Sequence, residues 1–397
     1  MALANYVRDS LAGSSMIRKM FEEGIALKKL HGENNVFDFS LGNPDLEPPP
    51  AFHKTLVKLT TEDAKGSHGY MPNAGYKDVR DALAKKASRE HKAPLTGDQI
   101  IMSVGAAGGL NCVFKAILNP GDEVVVSSPF FMEYRTYTAN HGGKLVEVKS
   151  LDDFNLDVDA IKKNLSPNTA AVLINSPHNP TGRVYPQQTI AALSAALLEH
   201  GKKTGRYPYL VADEPYREIV YGNIEVPPVL SVYPNSISVT SYSKSLSLPG
   251  ERIGYVAVNS AADDAENLIA GIIWATRVLG FVNAPALMQL AVAQLTGEKV
   301  AVEIYDRRRA AFKKVLDEAG LRYAEPEGAF YIFCKAPAKD GVCDDKAFST
   351  HLKKFLILGV PGSSFGAPGW LRFAYCVNEE TIKSSGAAFK KAMAEWV

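Results

Sequence analysis

The chain has 397 residues, of which 46% are hydrophobic, and its 44 Lys and Arg against 43 Asp and Glu leave a formal net charge of +1. A chain of this length can bury the cores of two domains. The near-neutral charge excludes a broad electrostatic surface for nucleic acid or an anionic membrane, so any anion must be bound at a local site.

The N-terminal segment and the cysteines predict a cytoplasmic protein. Arg8 and Asp9 interrupt the first apolar residues, so we expect neither a secretory nor a transit segment. The four cysteines have no C-x-x-C spacing and are predicted to be reduced thiols. The eight histidines are scattered, which predicts no metal site. Polar residues and a proline interrupt the apolar stretch 271–295, so we do not expect it to cross a bilayer.

The first half of the chain predicts an α/β domain. Three prolines at 48–50 mark a stiff connector and a candidate domain boundary. From residue 51 to about 290, short runs rich in Val and Ile alternate with helical patterns. The predicted strands are DEVVVSSP, AAVLINSP, YLVADEPY, SISVTSYS and RIGYVAV. Near-continuous apolar strands spaced by helices predict a mostly parallel sheet covered by helices on both faces.

The C-terminal part predicts a smaller α+β domain. A single helix is predicted over 289–320, with Gly320 at its end and the basic run 307–309 on its solvated face. The segments EGAFYIFCKA and GWLRFAYC are predicted strands, separated by a helix within 344–357. We therefore predict a large domain over 51–290 and a discontinuous small domain formed by 1–50 and 291–397.

Polar side chains follow four of the predicted strands where each strand ends, at residues 127–128, 175–176, 213–214 and 241–244. In an open α/β sheet, ligands bind at the carboxyl ends of the strands. One polar strand end is an ordinary transition into a loop. Four of them predict a shared ligand crevice.

An anion site is expected at this crevice. The stretch SVGAAGGLNCVFKAIL, beginning at residue 103, places small residues at the start of a helix, where backbone N–H groups can point at a phosphate. It matches neither G-x-G-x-x-G nor the P-loop pattern, which disfavours a dinucleotide or a P-loop nucleotide. Ser241 and Arg252 can add donors to the same phosphate. Arg252 in a structural salt bridge is an equal alternative at this point.

Lys244 lies among serines in SYSKSLSLPGERIGY, residues 241–255. A lysine amine with a lowered pKa is a nucleophile that forms Schiff bases with carbonyl compounds. A surface lysine that caps a turn is the alternative. The spacing S-x-S-K followed by G-x-R-[hydrophobic]-G resembles the lysine motif of the class I/II aminotransferases, which are pyridoxal-phosphate enzymes with the aspartate aminotransferase fold.

The resemblance implies a role for Lys244 and its neighbours. Lys244 is expected to form the Schiff base with pyridoxal 5'-phosphate. Ser241 and Arg252 are expected to hold the cofactor phosphate, and Ser243 to contribute to the same cofactor site.

Further segments resemble motifs of the same family, in the same order along nearly the whole chain. The residues that this resemblance places at the cofactor or substrate are Gly42, Tyr70, Gly105, Ala106, Ala107, Phe131, Asn179, Asp213, Tyr216 and Arg372. Gly42 is expected beside the substrate carboxylate, and Tyr70 at the cofactor phosphate of a partner subunit. Gly105, Ala106 and Ala107 are expected to bind the phosphate through their backbone, and Phe131 to stack on the pyridine ring.

The remaining roles suit the chemistry of their side chains. Asp213 can keep the pyridine nitrogen protonated, so that the ring acts as an electron sink. Asn179 and Tyr216 can hydrogen-bond the phenolic oxygen of the ring, and Asn179 is also expected near the substrate. Arg372 can bind an α-carboxylate with two parallel hydrogen bonds. Each residue alone also has an ordinary structural explanation, such as a helix cap, a core aromatic, a turn or an ion pair.

The resemblance implies an aminotransferase that moves the amino group of an L-amino acid to a 2-oxo acid with ping-pong kinetics. Lys244 is expected to transfer the proton and Asp213 and Tyr216 to act with it in catalysis. A carbon–sulfur β-lyase on the same scaffold and a non-catalytic ligand-sensing domain are the alternatives. If Tyr70 completes a neighbouring site, the active unit is a homodimer.

The amino donor stays open among aspartate, alanine, aromatic and branched-chain amino acids. Arg277 is a candidate for binding the second carboxylate of an acidic substrate, although a structural role is favoured. Four residues near the N-terminus are candidates for the border of the substrate pocket: Ser14, Ser15, Ile17 and Arg18.

Overall fold

The computed structural model describes residues 3–5, 7–8 and 16–396. The strands are β1 (Phe37–Asp38), β2 (Ile100–Ser103), β3 (Glu123–Ser128), β4 (Lys144–Lys149), β5 (Thr169–Asn175), β6 (Tyr209–Asp213), β7 (Ser236–Ser241), β8 (Gly254–Val258), β9 (Tyr323–Ala324), β10 (Tyr331–Lys335), β11 (Ile357–Leu358), β12 (Val360–Pro361) and β13 (Trp370–Ala374). Three short 3-10 turns lie at Glu33–Asn35, Gly97–Gln99 and Gly362–Phe365.

The helices complete the chain order. They are α1 (Met16–His31), α2 (Pro50–Glu62), α3 (Lys77–His91), α4 (Gly105–Ile117), α5 (Glu133–Ala139), α6 (Val158–Asn164), α7 (Gln187–Thr204), α8 (Val229–Val232), α9 (Tyr242–Ser245), α10 (Ala265–Val278), α11 (Ala286–Gln294), α12 (Val302–Glu318), α13 (Asp345–Lys353) and α14 (Glu379–Ala394). No helix in the described ranges is long and apolar enough to span a membrane.

A seven-stranded sheet forms the larger layer of the molecule. Its strand order is β2-β8-β7-β6-β5-β3-β4, and β8 is antiparallel to both of its neighbours while the other pairs are parallel. Every residue of β5 and of β8 is buried. Both faces of these strands are therefore covered, which explains their continuous apolar sequence. The predicted mostly parallel sheet is confirmed.

Helices cover this sheet on both faces. On one face, α4 and α10 pack their apolar side chains on β3, β5, β6 and β7 in one buried cluster. On the other face, α6, α7 and α8 pack on the alternate side chains of β3, β5 and β6. A third cluster joins α3 and α11 to β2 and β8. Since successive side chains of a strand point to opposite faces, the same strands contribute to two cores.

The second half of the chain builds a separate core around smaller sheets. A four-stranded antiparallel sheet has the order β12-β13-β10-β9, and β1 pairs in parallel with β11. Aromatic side chains dominate the cluster that α12 and α14 form with this part of the chain, and Phe39 and Phe312 have ring centroids 4.6 Å apart. Tyr216 and Ile219 from the larger layer join the same cluster, so the two layers meet next to the end of β6.

Two predictions for the C-terminal part are wrong. The stretch 289–320 is not one helix, because α11 ends at Gln294 and α12 begins at Val302; Gly297 lies in the turn between them, and glycine is a poor helix former. Gly320 does follow the end of α12 with a φ of 74°. The basic run is not entirely solvated either: Arg308 is buried and donates two hydrogen bonds to Asp45, at 2.5 and 2.9 Å.

Candidate functional site

The carboxyl ends of β5, β6 and β7 and the loop that follows β3 open into one cavity of about 260 Å³, whereas Ser127 and Ser128 at the end of β3 do not line it, contrary to the prediction. Every residue that the sequence analysis placed at the cofactor or substrate lines this cavity, except Tyr70 and Gly105. The lining members of that set are Gly42, Ala106, Ala107, Phe131, Asn179, Asp213, Tyr216, Ser241, Ser243, Lys244, Arg252 and Arg372. Parallel strands bring their carboxyl ends to one edge, which is why positions more than 100 residues apart meet there.

Lys244 lies in the single helical turn α9, directly after β7. Its Nζ donates a hydrogen bond of 2.7 Å to the backbone carbonyl of Gly42. The same atom lies 5.5 Å from the ring centroid of Phe330 and 6.0 Å from that of Tyr216. Burial lowers the pKa of Lys244 to about 8, and the positive charges of Arg372 and Arg252 act in the same direction. At pH 7 about one tenth of the amine is therefore unprotonated and nucleophilic, which is far more than for an ordinary lysine.

Asp213 ends β6, and only one of its two carboxylate oxygens has a hydrogen-bond partner among the described residues. Its Oδ2 accepts a hydrogen bond of 2.5 Å from the Tyr134 hydroxyl. Its Oδ1 is buried and has no hydrogen-bond partner among the described residues. Burial raises the pKa of Asp213 to about 7, the hydrogen bond from Tyr134 opposes the rise, and the neighbouring Glu214 adds to it. A cationic ring nitrogen in the cavity would give this carboxylate the partner that the chain does not supply.

A candidate anion-binding site lies at the start of α4. Gly105 begins the helix with a φ of 69°, which glycine adopts without strain. A Cβ atom at this position would lie 2.7 Å from Nη2 of Arg252, so the missing side chain lets the guanidinium approach the helix end. Ala106 and Ala107 follow in the first turn, and Arg252 makes no ion pair with any described residue. The helix N-terminus and the guanidinium together form a local anion site.

Arg372 on β13 is 2% exposed, and its guanidinium is held from several sides. Nη1 donates to Oδ1 of Asn179 at 2.9 Å, and Nη2 donates to the carbonyl of Ser40 at 2.7 Å. The guanidinium also lies over the rings of Tyr331 and Phe365, at 4.5 and 4.9 Å from their centroids. Nε is buried without a hydrogen-bond partner in the described structure, so this donor is available to a carboxylate in the cavity.

Several cavity residues were missed by the sequence analysis, and two of them contact predicted site residues. Tyr134 bonds to Asp213, and Tyr331 places its hydroxyl 2.7 Å from that of Tyr216. Tyr134 comes three residues after Phe131 at the start of α5, and this helical spacing was a signal for a shared face. Tyr331 lies on β10, within the predicted strand EGAFYIFCKA, but it is far along the chain from the four polar strand ends, and no local pattern indicated that it reaches the cavity.

Tyr70 and the N-terminal candidates lie apart from the cavity or outside the description. The Tyr70 side chain is 96% exposed and does not line the cavity of its own chain. Ser14 and Ser15 lie outside the described residues. Ile17 and Arg18 belong to the backbone of α1, but their side chains are outside the description.

The thiols and acidic groups of the described residues do not form a metal centre. No group of three or more His, Cys, Asp and Glu side chains there could hold a metal ion. The cysteines are free thiols, and Cys112, Cys334 and Cys376 are buried.

A second charged cluster lies directly behind Asp213. Glu214 is 1% exposed and accepts hydrogen bonds from Arg217 at 2.6 Å and from Ser238 at 2.7 Å, and its other contact is His91 at 3.3 Å. Burial opposes ionisation of Glu214, but Arg217 and His91 together lower its pKa to about 2. Lys86 pairs with Glu218 at 2.9 Å in the same region. The Glu214 carboxylate is satisfied within the protein, whereas Nδ1 of His91 is buried without a hydrogen-bond partner among the described residues, and none of these side chains lines the cavity.

Comparison with known proteins identifies the family of this chain. The sequence profile of the family described as aminotransferase class I and II matches residues 34–386. The chain belongs to this family. It is therefore a pyridoxal-phosphate-dependent aminotransferase, and the predicted fold, enzyme class and cofactor are confirmed.

Similar aminotransferases cover nearly the whole chain. A protein of Aquifex aeolicus named as a probable aspartate/prephenate aminotransferase is 32% identical and covers 91% of this chain and 92% of its own length. The aspartate/prephenate aminotransferase of Thermus thermophilus is 31% identical over 89% of both chains. These names favour an aminotransferase over the β-lyase and the ligand-sensing domain.

Solved structures show the same fold. An amino transferase from Eubacterium rectale superposes with a TM-score of 0.95 at 38% identity and covers 100% of both chains. The aspartate aminotransferase of Thermus thermophilus with maleate has a TM-score of 0.87 at 27% identity and covers 99% of this chain and 100% of its own.

The residues of the cavity fit pyridoxal phosphate. Lys244 offers an amine to its aldehyde, and Asp213 has a buried oxygen without a partner for its ring nitrogen. The start of α4 with Arg252 offers donors to its phosphate. Each reactive part of the cofactor thus has a group of matching charge in one cavity.

Proposed function

We propose that this aminotransferase transfers the amino group of an L-amino acid to a 2-oxo acid in the cavity built around Lys244, Asp213 and Arg372. One observation carries the proposal. An amine of lowered pKa, a carboxylate oxygen without a partner and a guanidinium N–H without a partner come from three separate elements and meet in one cavity. A bound ligand can pair with buried polar groups that have no hydrogen-bond partner within the protein.

Lys244 has two tasks in this proposal. Its amine would hold the aldehyde group of the bound cofactor and would be released when the amino group of a substrate binds there instead. The released amine would accept the proton of the substrate Cα as general base and give it back as general acid. A pKa of about 8 suits both directions of this transfer near neutral pH.

The cofactor-binding side chains fix how the ring lies. When bound, pyridoxal phosphate supplies the electron sink for the charge left on Cα. Asp213 would pair with the ring nitrogen, and Asn179 and Tyr216 would donate to the phenolic oxygen. Phe131 would stack on the ring. Held in this way, the ring would leave Lys244 within reach of the substrate Cα.

The phosphate and the substrate carboxylate are bound at opposite sides of the cavity. Ser241, Ser243 and Arg252 bind the phosphate together with the backbone of Gly105, Ala106 and Ala107 at the start of α4. Arg372 binds the α-carboxylate, with Asn179 and Gly42 beside it. The existing bonds of Arg372 to Asn179 and Ser40 support this role because they fix the guanidinium before the substrate arrives.

A homodimer is part of the proposal. The Tyr70 hydroxyl is expected to bind the cofactor phosphate of the second copy. Two further large apolar side chains, Trp274 and Val278, are 57% and 48% exposed one helical turn apart on α10, which supports a protein contact on this side of the molecule. Sedimentation of the purified protein would test this, and a fully active monomer would contradict it.

The domain division and the compartment are also proposals. The separate aromatic core of the C-terminal half supports a large domain over 51–290 and a small domain of 1–50 with 291–397. The buried free thiols support a reducing compartment such as the cytoplasm.

Replacement of Lys244 tests the proposed function. Lys244→Ala should lose the visible absorbance of the bound cofactor and at least about 10³-fold in turnover, since the covalent link and the proton carrier are both removed. Amino donors would be screened with 2-oxoglutarate and with pyruvate as acceptors. The matched control is Lys202→Ala, which removes an exposed lysine on α7.

Two results would contradict the proposal. A Lys244→Ala protein that keeps its absorbance and turnover would exclude Lys244 from the chemistry. Release of pyruvate and ammonia from cystathionine without an added 2-oxo acid, faster than any amino transfer, would favour the β-lyase.

A further inference from the structure

Tyr331 begins β10 and joins two parts of the cavity that have different tasks. Its side chain is 2% exposed, and its hydroxyl lies 2.7 Å from the hydroxyl of Tyr216. The face of its ring lies 4.5 Å from the guanidinium carbon of Arg372. Tyr331 therefore contacts both the tyrosine proposed for the cofactor and the arginine proposed for the substrate.

The structure reserves space for the Tyr331 hydroxyl. A Cβ atom on Gly42 would overlap this hydroxyl and also lie 2.7 Å from Cζ of the same ring, so only glycine permits the approach. The carbonyl of Gly42 is also the acceptor for Lys244. The hydroxyl of Tyr331 is thus held within the group of residues that surrounds the reactive amine.

The direction of the hydrogen bond between the two tyrosines follows from proton counting. A phenol has one proton to donate. In the proposed function Tyr216 gives its proton to the phenolic oxygen of the cofactor, so its oxygen can only accept from Tyr331. The Tyr331 hydroxyl has no other hydrogen-bond partner in the described part of the chain. A donor that is itself hydrogen-bonded in this way donates more strongly, because successive hydrogen bonds polarise one another.

We propose that Tyr331 is a positioning residue with two separable effects: its hydroxyl donates to Tyr216 and strengthens the bond from Tyr216 to the cofactor, and its ring holds Arg372 in place for the substrate carboxylate. The inference rests on the proposed function, because it assigns the cofactor contact to Tyr216 and the substrate contact to Arg372.

Tyr331→Phe tests the hydroxyl alone. The cofactor-loaded protein would be titrated by visible absorbance, which reports the pKa of the covalent link to Lys244. Weaker donation from Tyr216 makes the phenolic oxygen hold a proton more tightly, so this pKa should rise by about half a unit. We expect kcat to fall about three- to tenfold, with KM for the amino acid changed less than about twofold.

Tyr331→Leu tests the ring, because it removes both the hydroxyl and the face that covers Arg372. It should reproduce the shift of the absorbance titration and in addition raise KM for the amino acid about tenfold or more. The matched control is Tyr323→Phe on the adjacent strand β9, whose hydroxyl bonds to Asp317 outside the cavity. This control should change neither the titration nor the KM.

A double variant decides whether Tyr331 acts through Tyr216. Tyr331→Phe added to Tyr216→Phe should shift the absorbance titration no further than Tyr216→Phe alone. Additive shifts, or an unchanged titration in a Tyr331→Phe protein that binds the cofactor, would overturn the inference and leave the proposed function intact. A parent protein that shows no absorbance of a lysine-bound cofactor would overturn the proposed function itself.

Discussion

Asp213 and Glu214 are neighbours at the end of β6, and the pKa values of their carboxyl groups are shifted in opposite directions. Both are buried, yet the pKa of Asp213 is raised to about 7 and that of Glu214 is lowered to about 2. Asp213 has one neutral donor, Tyr134, and one oxygen without a partner. Glu214 is surrounded by Arg217, His91 and Ser238.

Both carboxylates are buried, so burial does not distinguish a ligand-binding carboxylate from a structural one. The partners around each carboxylate do. Adjacent residues of a strand point to opposite faces, so one carboxylate enters the cavity and the other enters the cluster behind it. The protein supplies every charge that Glu214 needs and leaves one side of Asp213 to a cationic ligand. The isosteric substitutions of these two residues are therefore a matched pair.

The largest effect is expected from Asp213→Asn. The amide keeps the shape but cannot hold a ring nitrogen protonated, so turnover should fall about 10³-fold, while the cofactor-free protein should keep its free energy of unfolding at about pH 5, where Asp213 itself is neutral. Single-turnover rates and urea unfolding would measure the two properties. Loss of stability together with activity would show that Asp213 is a structural residue and would remove the contrast with Glu214.

Glu214→Gln should have the reverse effect. The neutral amide leaves Arg217 buried without its counter-charge, so the free energy of unfolding should fall by about 3 kcal/mol. Turnover of the folded protein should change less than about tenfold. Urea unfolding and turnover of the loaded enzyme are the measurements. An activity loss as large as that of Asp213→Asn, with stability unchanged, would assign the rear cluster to the reaction.

The dependence of stability on pH sharpens the contrast in the cofactor-free protein. An aspartate in an unfolded chain has a pKa of about 4, so between about pH 4 and 7 the folded protein binds more protons at Asp213 than the unfolded chain does. Its contribution to stability is therefore lost as pH rises through this window. Between pH 5 and 8 the loss should be about 2 kcal/mol in the parent protein and absent in Asp213→Asn.

Urea unfolding of both proteins at the two pH values would measure this effect. Cofactor binding should reduce the loss, because a ring cation stabilises the charged carboxylate. Glu214 gives the opposite sign, since its lowered pKa means that its contribution is lost only as pH falls from about 4.5 toward 2. Equal pH trends in the parent protein and in Asp213→Asn would contradict the raised pKa of Asp213.

Sequence patterns were sufficient for the parts of this site that depend on local order. Strands with continuous apolar residues predicted the parallel sheet, and the polar ends of β5, β6 and β7 predicted which edge holds the cavity. The motif around Lys244 predicted the amine and the nearby Arg252. Each of these features occupies a short stretch of the chain, so it can be recognised from the sequence alone.

Contacts between residues far apart in the chain were beyond such patterns. Tyr331 meets Tyr216 across 115 positions of the chain, and Arg308 meets Asp45 across 263. The first pair depends on how the C-terminal core packs against the end of β6, and the second joins two distant segments of the proposed small domain. No local period encodes either contact. The break between α11 and α12 was missed because apolar residues lie on both sides of the short turn that contains Gly297.

The smallest effect is expected at Arg277, outside both charged regions. Arg277 lies exposed in the last turn of α10, and its side chain makes no ion pair or hydrogen bond with any described residue, so no contact in the described chain supports the structural role favoured for it. An exposed charge acts weakly through solvent. Arg277→Ala should therefore change the ratio of kcat/KM for aspartate to that for alanine less than about threefold. A selective loss of more than about tenfold with aspartate would instead indicate that Arg277 of a second copy reaches the cavity, where Lys244, Arg252 and Arg372 are the cations that one chain provides.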